Sequence, residues 1–279
     1  MPILRMMTNF GYSAVTRLRL PFLQPFWEKV NRASLYAMNI GPAGDIAVSG
    51  ERRVIRKIAR ILGGQTSSPV VFDVGANVGA YSLAVRDVFG SRAFLYCFEP
   101  SPATFQILER RLGELENVSL FNLGCSDREE IRDLHWVDSD ESGLCSLYNR
   151  RLAHLGVHAK STETARLTTI DRFAEERAIG FIHLLKMDVE GHEYQVLAGA
   201  SHMLESRAIA IIQFEFGNCN IASRTYFQDF YYLLEPNYRI YRILGQGLCP
   251  VRGYRESQEV FLTTNYLAVA KDLDARLSL

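Results

Sequence analysis

The side chains best suited to chemistry in this sequence begin at a glycine-containing segment, Asp73 to Gly79, which reads D-V-G-A-N-V-G. The segment follows a short apolar run and carries two glycines, Gly75 and Gly79, on either side of Asn77. Glycines at such a turn allow the backbone and the start of the following helix to approach a ligand closely. The segment therefore predicts a binding site for a nucleotide or a nucleoside.

The spacing of the glycines separates two classes of ligand. Dinucleotides use G-x-G-x-x-G, and here the spacing is G-x-x-x-G, with Asp73 close to the position of the pyrophosphate, where its charge is unfavourable. S-adenosylmethionine has no phosphate, and its ammonium and sulfonium groups suit a carboxylate. The turn therefore favours S-adenosylmethionine, with a nucleotide-dependent oxidoreductase and a turn without a ligand as the alternatives.

Polar residues at the ends of the next two apolar runs extend this prediction. Glu99 follows Asp73 by 26 residues, and a carboxylate there can accept hydrogen bonds from both ribose hydroxyls. Ser126 and Asp127 end the third run, where a side chain can reach the adenine amino group. Because strand ends converge on one crevice in a doubly wound sheet, these residues are expected to meet one ligand.

A charged segment that reads K-M-D-V-E-G-H-E ends the fourth apolar run. In an extended chain, Lys186, Asp188 and Glu190 share one face, and three charges there are costly to bury without partners or a use. We expect them to border the crevice where a methyl group is transferred, with Asp188 both nearest to that position and in contact with the cofactor. The alternative is that Lys186 and Asp188 only pair with each other.

A hydroxyl acceptor loses its proton as it attacks, so the site needs a general base. His192 has the ordinary pKa best suited to that task at neutral pH, although it begins a predicted helix and can point outward. The acids that could replace it as the base are Asp188, Glu190, Glu193 and Glu215. No metal site is expected: Asp188, Glu190 and Glu215 could gather around a divalent cation, but no spaced pair of histidines supports one.

Strands that alternate with helices must position these residues. The predicted strands span residues 70–74, 93–98, 118–123, 181–189, 209–214, 239–244 and 266–270. The predicted helices span residues 51–62, 81–89, 102–115, 172–177, 192–204 and 226–234. This alternation predicts an α/β fold with a doubly wound, Rossmann-like sheet that is mostly parallel. The last two strands are expected to form an antiparallel hairpin at one edge.

Charge divides the chain of 279 residues, which has 31 basic and 31 acidic side chains. Residues 1–69 carry a formal charge of +7 and residues 70–279 carry −7. We expect a basic, helical N-terminal extension over 1–69 and a single domain over 70–279. The extension is expected either to pack over the sheet edge or the acceptor pocket, or to contact an anionic membrane surface or a partner protein.

The stretch at residues 127–180 is too long for an ordinary connection and predicts a lid-like insertion. The zero net charge argues against nucleic acid as a partner. Five unpaired, widely spaced cysteines and the lack of a long apolar run indicate a soluble protein of a reducing compartment, the cytoplasm. Cys97 and Cys125 are predicted to be buried free thiols.

Several of these segments together resemble the FkbM family of S-adenosylmethionine-dependent methyltransferases. They are D-V-G-A-N-V-G (73–79), F-E-P-S-P (98–102), T-I-D (169–171), K-M-D-V-E-G-H-E (186–193) and V-L-A-G-A (196–200). The resemblance covers residues 70–215 and implies a class I methyltransferase fold, S-adenosylmethionine as cofactor, and O-methylation of a hydroxyl on a sugar, a glycan or a natural product. A catalytically silent domain that only binds ligands is the alternative.

Overall fold

The computed structural model describes residues 18, 20–41, 46, 49–63, 66–137, 144–155 and 159–274. Twelve strands are found in this part of the chain: β1 (Val70–Val74), β2 (Phe94–Phe98), β3 (Val118–Phe121), β4 (Gly124–Cys125), β5 (Glu130–Val137), β6 (Leu144–Ser146), β7 (Ala159–Thr168), β8 (Leu184–Met187), β9 (Ile211–Phe216), β10 (Tyr238–Leu244), β11 (Gly247–Pro250) and β12 (Thr264–Ala270).

Helices connect most of these strands. The α-helices in the same part of the chain are α1 (Gln24–Ala37), α2 (Glu51–Leu62), α3 (Ala80–Phe89), α4 (Pro102–Leu112), α5 (Ile170–Glu176), α6 (Glu193–Ala198), α7 (Ser201–Glu205), α8 (Cys219–Ser223), α9 (Phe227–Leu234) and α10 (Lys271–Asp274). The 3₁₀ turns are Pro21–Leu23, Gly90–Arg92, Ala153–Leu155 and Glu256–Gln258. No helix of the described chain combines the length and the apolar character needed to cross a bilayer.

The main sheet has eight strands in the order β3-β2-β1-β8-β9-β12-β10-β11. The strands from β3 to β9 are parallel, and β12, β10 and β11 pair antiparallel. The strand order reverses between β1 and β8, which is where open α/β sheets form a crevice for ligands. The predicted doubly wound, mostly parallel sheet is confirmed.

Helices cover both faces of the main sheet and form two apolar cores. One core joins α2, α3 and α4 to β1 and β2 through residues such as Ile55, Val85 and Leu108. The other joins α5, α6 and α9 to the opposite face through residues such as Phe173 and Phe230. Because α2 packs in the core of the sheet, residues 51–62 belong to the packed domain although they lie on the basic side of the sequence division at residue 69.

Local signals explain the start of α4. The Oγ of Ser101 accepts a hydrogen bond from the backbone N–H of Thr104, and Pro102 occupies the first helical position. Both features favour the start of a helix, and the helix begins at the residue where the sequence predicted it. Cys97 and Cys125 are buried and free, which confirms the prediction for these two thiols.

Two expectations about the elements were wrong. The last two strands do pair antiparallel, but β12 is inserted between β9 and β10, and the hairpin at the edge joins β10 to β11. The predicted helix over residues 192–204 is divided into α6 and α7. The reason is a close approach at Gly199, where a Cβ atom would lie 1.9 Å from the carbonyl oxygen of Ser126.

The predicted insertion at 127–180 is structured over most of its length. Its strands β5, β6 and β7 join β4 in a second sheet with the order β4-β7-β5-β6. Residues 138–143 and 156–158 of this stretch, and residues 1–17 of the basic extension, lie outside the described residues. The second sheet stands beside the crevice and supplies one of its walls.

Candidate functional site

The glycine turn after β1 is fixed by its neighbouring strands. The backbone N–H groups of Gly75 and Ala76 donate to the carbonyl oxygen of Phe98, over 3.0 and 2.9 Å. Gly75 has φ +79°, and a Cβ atom there would lie 1.9 Å from the carbonyl oxygen of Asp188. Any residue other than glycine would therefore displace the segment after β8, which explains why the turn is built on glycine.

Asp73 and Lys186 form a buried ion pair beneath this turn. They are register partners on β1 and β8, their side chains are 1% and 6% exposed, and the Lys186 Nζ lies 3.4 Å from Oδ1 of Asp73. Ser82 donates a hydrogen bond of 2.6 Å to the other oxygen of Asp73. Lys186 also lies 3.4 Å from Oδ2 of Asp188. Burial opposes the charge of Lys186, but the carboxylates of Asp73 and Asp188 outweigh it and raise the pKa of Lys186.

Glu99 follows β2 and holds two backbone groups with its carboxylate. Its Oε2 accepts from the N–H of Asn77 and its Oε1 from the N–H of Ser101, both over 2.9 Å. Burial raises the pKa of Glu99 to about 7, although the two N–H groups act in the opposite direction. Each carboxylate oxygen keeps a lone pair that can accept a further hydrogen bond.

A cavity of about 460 Å³ lies between the carboxyl ends of the strands and the second sheet, within the range of small-molecule sites. The residues that line it from the main domain are Val74, Gly75, Asn77, Glu99, Pro100, Thr104, Asp188, Val189, Glu190, His192, Glu215, Asn218, Cys219 and Thr263. Those from β4 and the insertion are Gly124, Cys125, Leu134, Cys145, Leu147, Arg150 and Leu167. The insertion thus covers the crevice with a mostly apolar wall.

A second cavity of about 270 Å³ adjoins the first. The two cavities share four lining residues, which are Gly75, Asn77, Asp188 and Glu215. Lys186, Glu51 and Tyr81 line the second cavity only. One elongated ligand can therefore extend from Glu99 to Lys186 and pass Asp188 and Glu215 at the junction of the cavities.

A chain of hydrogen bonds through Gln213 links Glu51 and Tyr81, which both line the second cavity. The carboxylate of Glu51 accepts from the hydroxyl of Ser49 over 2.7 Å and from the amide nitrogen of Gln213 over 2.6 Å. The amide oxygen of Gln213 accepts from the hydroxyl of Tyr81 over 2.8 Å. Burial raises the pKa of Glu51 above its ordinary value. Glu51, which the sequence did not single out, thereby links the start of α2 to the site.

Glu190 does not continue the extended chain as the sequence predicted. The strand ends at Met187, and Glu190 has φ +53°, so the alternation that would place it beside Lys186 is broken. Its Oε2 instead accepts from Nη1 of Arg150 over 2.7 Å and from Sγ of Cys219 over 2.8 Å. Arg150 also donates to Asn218 over 3.2 Å. Arg150 lies in the insertion, where no sequence pattern distinguished it.

His192 is held on both ring nitrogens. Its Nε2 lies 2.9 Å from Oγ of Ser126, and its Nδ1 lies 2.9 Å from the hydroxyl of Tyr148. The residue lines the larger cavity but is only 1% exposed. Burial lowers the pKa of His192 to about 4, and Arg132 acts in the same direction. The imidazole is therefore neutral at physiological pH and a weak base.

The carboxyl group of Glu215, near the end of β9, has a raised pKa, whereas the pKa of His192 is lowered. Burial raises the pKa of its carboxyl well above the ordinary value, and the carboxylates of Asp188 and Glu190 add to that shift. A general base needs a pKa high enough to take up the proton of the acceptor, and the raised pKa of Glu215 favours it for this role. In the sequence, an acid at the end of an apolar strand was the signal for it.

The structure divides the eight predicted cofactor-binding residues into two groups. Those that line the larger cavity are Gly75, Asn77, Glu99 and Asp188. Those that line neither of the two cavities are Asp73, Gly79, Ser126 and Asp127. At the end of the third parallel strand, Gly124 and Cys125 line the wall instead. Gly79 packs against Leu108 and Leu112 of α4, and Ser126 contacts His192.

The T-I-D segment (169–171) and the V-L-A-G-A segment (196–200) contact each other next to residues of the site. The carboxylate of Asp171 accepts from the backbone N–H groups of His202 and Met203, over 2.8 and 3.0 Å, at the start of α7. The N–H of Asp171 donates to the carbonyl oxygen of Gly199 over 3.0 Å. Gly199 in turn packs on the backbone of Ser126, so these segments support the Ser126–His192 contact. Among the described residues, no group of three His, Cys, Asp or Glu side chains could hold a metal ion.

Comparison with known proteins gives one family and several relatives. The profile of the methyltransferase FkbM domain matches residues 73–240. The hexuronic acid methyltransferase AglP of Haloferax volcanii is 31% identical over 173 residues, 60% of this chain and 64% of that protein. The 2-O-methyltransferase NoeI of Sinorhizobium fredii is 30% identical over 163 residues, 54% of this chain and 65% of that protein. The alignments thus span just under two thirds of the length of each relative.

Proposed function

The chain belongs to the methyltransferase FkbM family, and on that premise we propose that it transfers a methyl group from S-adenosylmethionine to a hydroxyl of a sugar, glycan or natural-product acceptor. The observation that carries this proposal is the pair of adjoining cavities with Glu99 at one end, Lys186 at the other, and Asp188 and Glu215 at their junction. S-adenosylmethionine has a nucleoside, a reactive sulfonium methyl and an amino-acid end in the same linear order.

The end of the larger cavity near Glu99 suits the nucleoside. The free lone pairs of the Glu99 carboxylate can accept hydrogen bonds from the ribose hydroxyls. Pro100, Cys125 and Leu167 supply apolar surface at the position where a base would lie. Glu99 thus binds the ribose and also fixes the turn through Asn77, so cofactor binding and loop order are coupled at one carboxylate.

The second cavity suits an amino-acid end, which carries both signs of charge. The ammonium group of Lys186 can attract a carboxylate, and the carboxylates of Glu51 and Asp188 can attract an ammonium group. Asp73 was expected to bind that ammonium group directly. Because Asp73 is buried and paired with Lys186, we assign it the positioning of the Lys186 side chain.

When bound, S-adenosylmethionine would supply an electrophilic methyl carbon, to which the acceptor oxygen bonds as the bond from carbon to sulfur breaks and S-adenosylhomocysteine leaves. The residues of this chain then align the acceptor and remove its proton, and alignment is a large part of such catalysis. We propose that Glu215 accepts the proton of the acceptor hydroxyl, because Glu215 lies at the junction of the cavities and has a raised pKa. Asp188 shares this position and can orient the acceptor hydroxyl. His192 is less suited to the task because burial lowers its pKa to about 4, which makes it a weak base, and because both nitrogens have partners.

The acceptor is proposed to lie against the insertion. Beside its mostly apolar wall, Arg150 of the insertion pairs with Glu190 and contacts Asn218 of the main domain, so this part of the cavity offers both donors and acceptors for hydroxyl groups. A sugar-like acceptor is supported by two relatives, one a hexuronic acid methyltransferase and the other a 2-O-methyltransferase. The free cysteines are consistent with a reducing compartment, and we propose the cytoplasm.

The test is an assay with radiolabelled S-adenosylmethionine and a panel of glycans that contains neutral sugars, uronic acids and a polyol natural product. We expect label on at least one acceptor hydroxyl, one S-adenosylhomocysteine per methyl group transferred, and loss of transfer in Glu215→Gln. Binding of S-adenosylmethionine without transfer to any acceptor would instead support a silent binding domain. Binding of NAD in place of S-adenosylmethionine would support the oxidoreductase alternative.

A further inference from the structure

Helix α1 lies on the outside of the molecule with none of its fourteen residues buried. Its large apolar residues Phe26 and Val30 are 54% and 42% exposed, and Phe22 in the preceding 3₁₀ turn is 75% exposed. These three positions are four residues apart, so they lie along one side of the helix. The polar residues Glu28 and Arg32 lie on the opposite side, which makes α1 amphipathic with an apolar face that nothing described covers.

Exposed apolar side chains are concentrated in this region. Seven of the sixteen large apolar residues that are exposed in the described chain fall within residues 18–38. Isolated surface apolar residues are ordinary, but a contiguous exposed patch indicates an interaction site. We define the apolar surface by Phe22, Phe26 and Val30.

The neighbouring helix α2 carries a basic surface. One side of α2 is buried in the core, and the other side presents five cations, which are Arg52, Arg53, Arg56, Lys57 and Arg60. No ion pair or side-chain hydrogen bond joins any of the five to another described residue. Five cations on one helix, with no ion-pair partner among the described residues, make a strong local positive field.

The two helices are joined at their facing ends. The side-chain amide of Asn39, just after α1, donates to the carbonyl oxygen of Ser49 over 3.0 Å and to that of Ile243 over 3.1 Å. Ser49 lies just before α2. The end of α1 and the start of α2 are therefore held together beside β10.

We propose that these surfaces bind the protein to an anionic lipid bilayer, with α1 in the interface and α2 facing the headgroups. An interfacial helix inserts its apolar side at the level of the headgroups, and nearby cations attract anionic lipids. Such a bilayer offers an apolar layer to the first surface and anionic headgroups to the second. A second copy of the chain fits less well, because a twofold contact would bring one set of five cations against another.

The experiment is sedimentation of the full chain with vesicles of phosphatidylcholine that contain about 30% phosphatidylglycerol, and with vesicles of phosphatidylcholine alone. We expect binding to the anionic vesicles that weakens as salt is raised, because exposed charges are screened over about 10 Å at 0.1 M salt. The variant Arg53→Gln/Arg56→Gln/Arg60→Gln should bind roughly 100-fold more weakly, since each cation contributes about fivefold.

Matched controls keep the test specific. Arg92→Gln/Arg110→Gln/Arg252→Gln removes the same charge from other exposed positions and should change vesicle binding less than the triple variant of α2 does.

For the apolar surface, Phe26→Glu should abolish binding, and Ile131→Glu, at a residue that is 69% exposed elsewhere, should not. Thermal denaturation checks that each variant is folded.

Three results would overturn the proposal. The first is absence of binding to anionic vesicles at low salt, and the second is equal binding by Phe26→Glu and wild-type protein. The third is a dimer that forms without lipid and is lost in Phe26→Glu, which would assign the apolar surface to a second copy. Methyl transfer to a water-soluble acceptor is measured separately, so failure here is distinct from failure of the proposed activity.

Discussion

The ammonium nitrogen of Lys186 lies 3.4 Å from a carboxylate oxygen of Asp73, its register partner on the adjacent strand, and both side chains are almost fully buried. Because of this contact, we assign Asp73 to the positioning of Lys186 and not to direct binding of the cofactor. The carboxylate is neutralised inside the sheet, and Lys186 is held at the floor of the second cavity. The turn, the ion pair and the cavity therefore depend on one another.

Replacement of Lys186 by methionine should destabilise the protein, because it leaves the charge of Asp73 buried without its partner. Breaking a buried pair in this way costs about 3–5 kcal/mol. Denaturant unfolding measures the loss, and Lys186→Met/Asp73→Asn should recover part of it. The control is Glu176→Gln, which breaks an exposed pair with Arg172 and should cost at most about 1 kcal/mol. Equal losses for Lys186→Met and the control would contradict a buried pair.

Replacement of Glu99 by glutamine should weaken S-adenosylmethionine binding. Glutamine has one acceptor oxygen, so the backbone N–H of either Asn77 or Ser101 faces an amide NH₂ group. Loss of hydrogen bonds to a charged group is worth about 1.5–3 kcal/mol, or roughly 10- to 100-fold in Kd. Isothermal titration calorimetry measures the loss of affinity, with Glu109→Gln at an exposed position of α4 as the control.

The pH dependence of S-adenosylmethionine binding is a second test of the role of Glu99. Because burial raises the pKa of Glu99 to about 7, the carboxyl of the free protein ionises near neutrality. The ionised form is the better acceptor for ribose hydroxyls, so affinity for S-adenosylmethionine should rise as the pH increases through 7. The Glu99→Gln variant should lack that rise, and an identical pH profile in both proteins would contradict the assignment.

Replacement of Glu215 by glutamine should reduce kcat by about 100- to 10,000-fold if it is the general base. The acid limb of the rate profile should also shift, because the raised pKa of Glu215 sets the pH at which the base becomes active. Comparison with Asp188→Asn, Glu190→Gln, Glu193→Gln and His192→Gln identifies the base among the five candidates. The assignment fails if His192→Gln, with unchanged Kd for S-adenosylmethionine, loses more kcat than Glu215→Gln.

His192 should contribute to stability in a pH-dependent way. Its pKa is about 4 in the folded protein and about 6.5 in an unfolded chain, so only the unfolded chain takes up a proton between these values. The contribution is therefore complete above pH 6.5 and is lost as the pH falls toward 4, by about 3 kcal/mol. Unfolding free energies at pH 7.5 and 4.5 measure this, and His192→Asn should show a smaller difference between them. An equal difference in both proteins would refute the shift.

Comparison of Gly75→Ala with Gly90→Ala separates the cost of backbone strain from the cost of a steric clash. Both Gly75 and Gly90 have positive φ, but a Cβ atom at Gly90 meets nothing within 4 Å, whereas one at Gly75 would strike the carbonyl oxygen of Asp188. Gly90→Ala should cost about 1–3 kcal/mol through strain alone. Gly75→Ala should cost clearly more and should also weaken S-adenosylmethionine binding. Similar unfolding free energies for the two variants would contradict the close approach.

The sequence predicted the positions of most strands and the acids at their ends, because buried parallel strands are short apolar runs that end at turn residues. Glu99 and Asp188 were found in this way. The register of β1 against β8 is a tertiary property, so the pairing of Asp73 with Lys186 could not be read from the order of residues. The division of α6 from α7 likewise depends on contact between Gly199 and Ser126, which are far apart in sequence.

Burial and contacts between distant residues account for the other differences between the predicted site and the observed one. His192 was the natural candidate for a base by its ordinary pKa, and only its burial between Ser126 and Tyr148 shows that its pKa is lowered and its basicity weakened. Arg150 lies in the insertion, where neither periodicity nor a motif marks a functional residue. Its importance follows from its contact with Glu190, which is a contact between distant parts of the chain.

The central claim is that one S-adenosylmethionine molecule spans the two cavities between Glu99 and Lys186. Calorimetric titration of the wild-type protein with S-adenosylmethionine and with NAD, repeated for Glu99→Gln, tests it most directly. We predict one S-adenosylmethionine bound per chain, no binding of NAD, and at least about tenfold weaker binding of S-adenosylmethionine in Glu99→Gln. Unchanged affinity in that variant, or binding of NAD instead of S-adenosylmethionine, would contradict the claim.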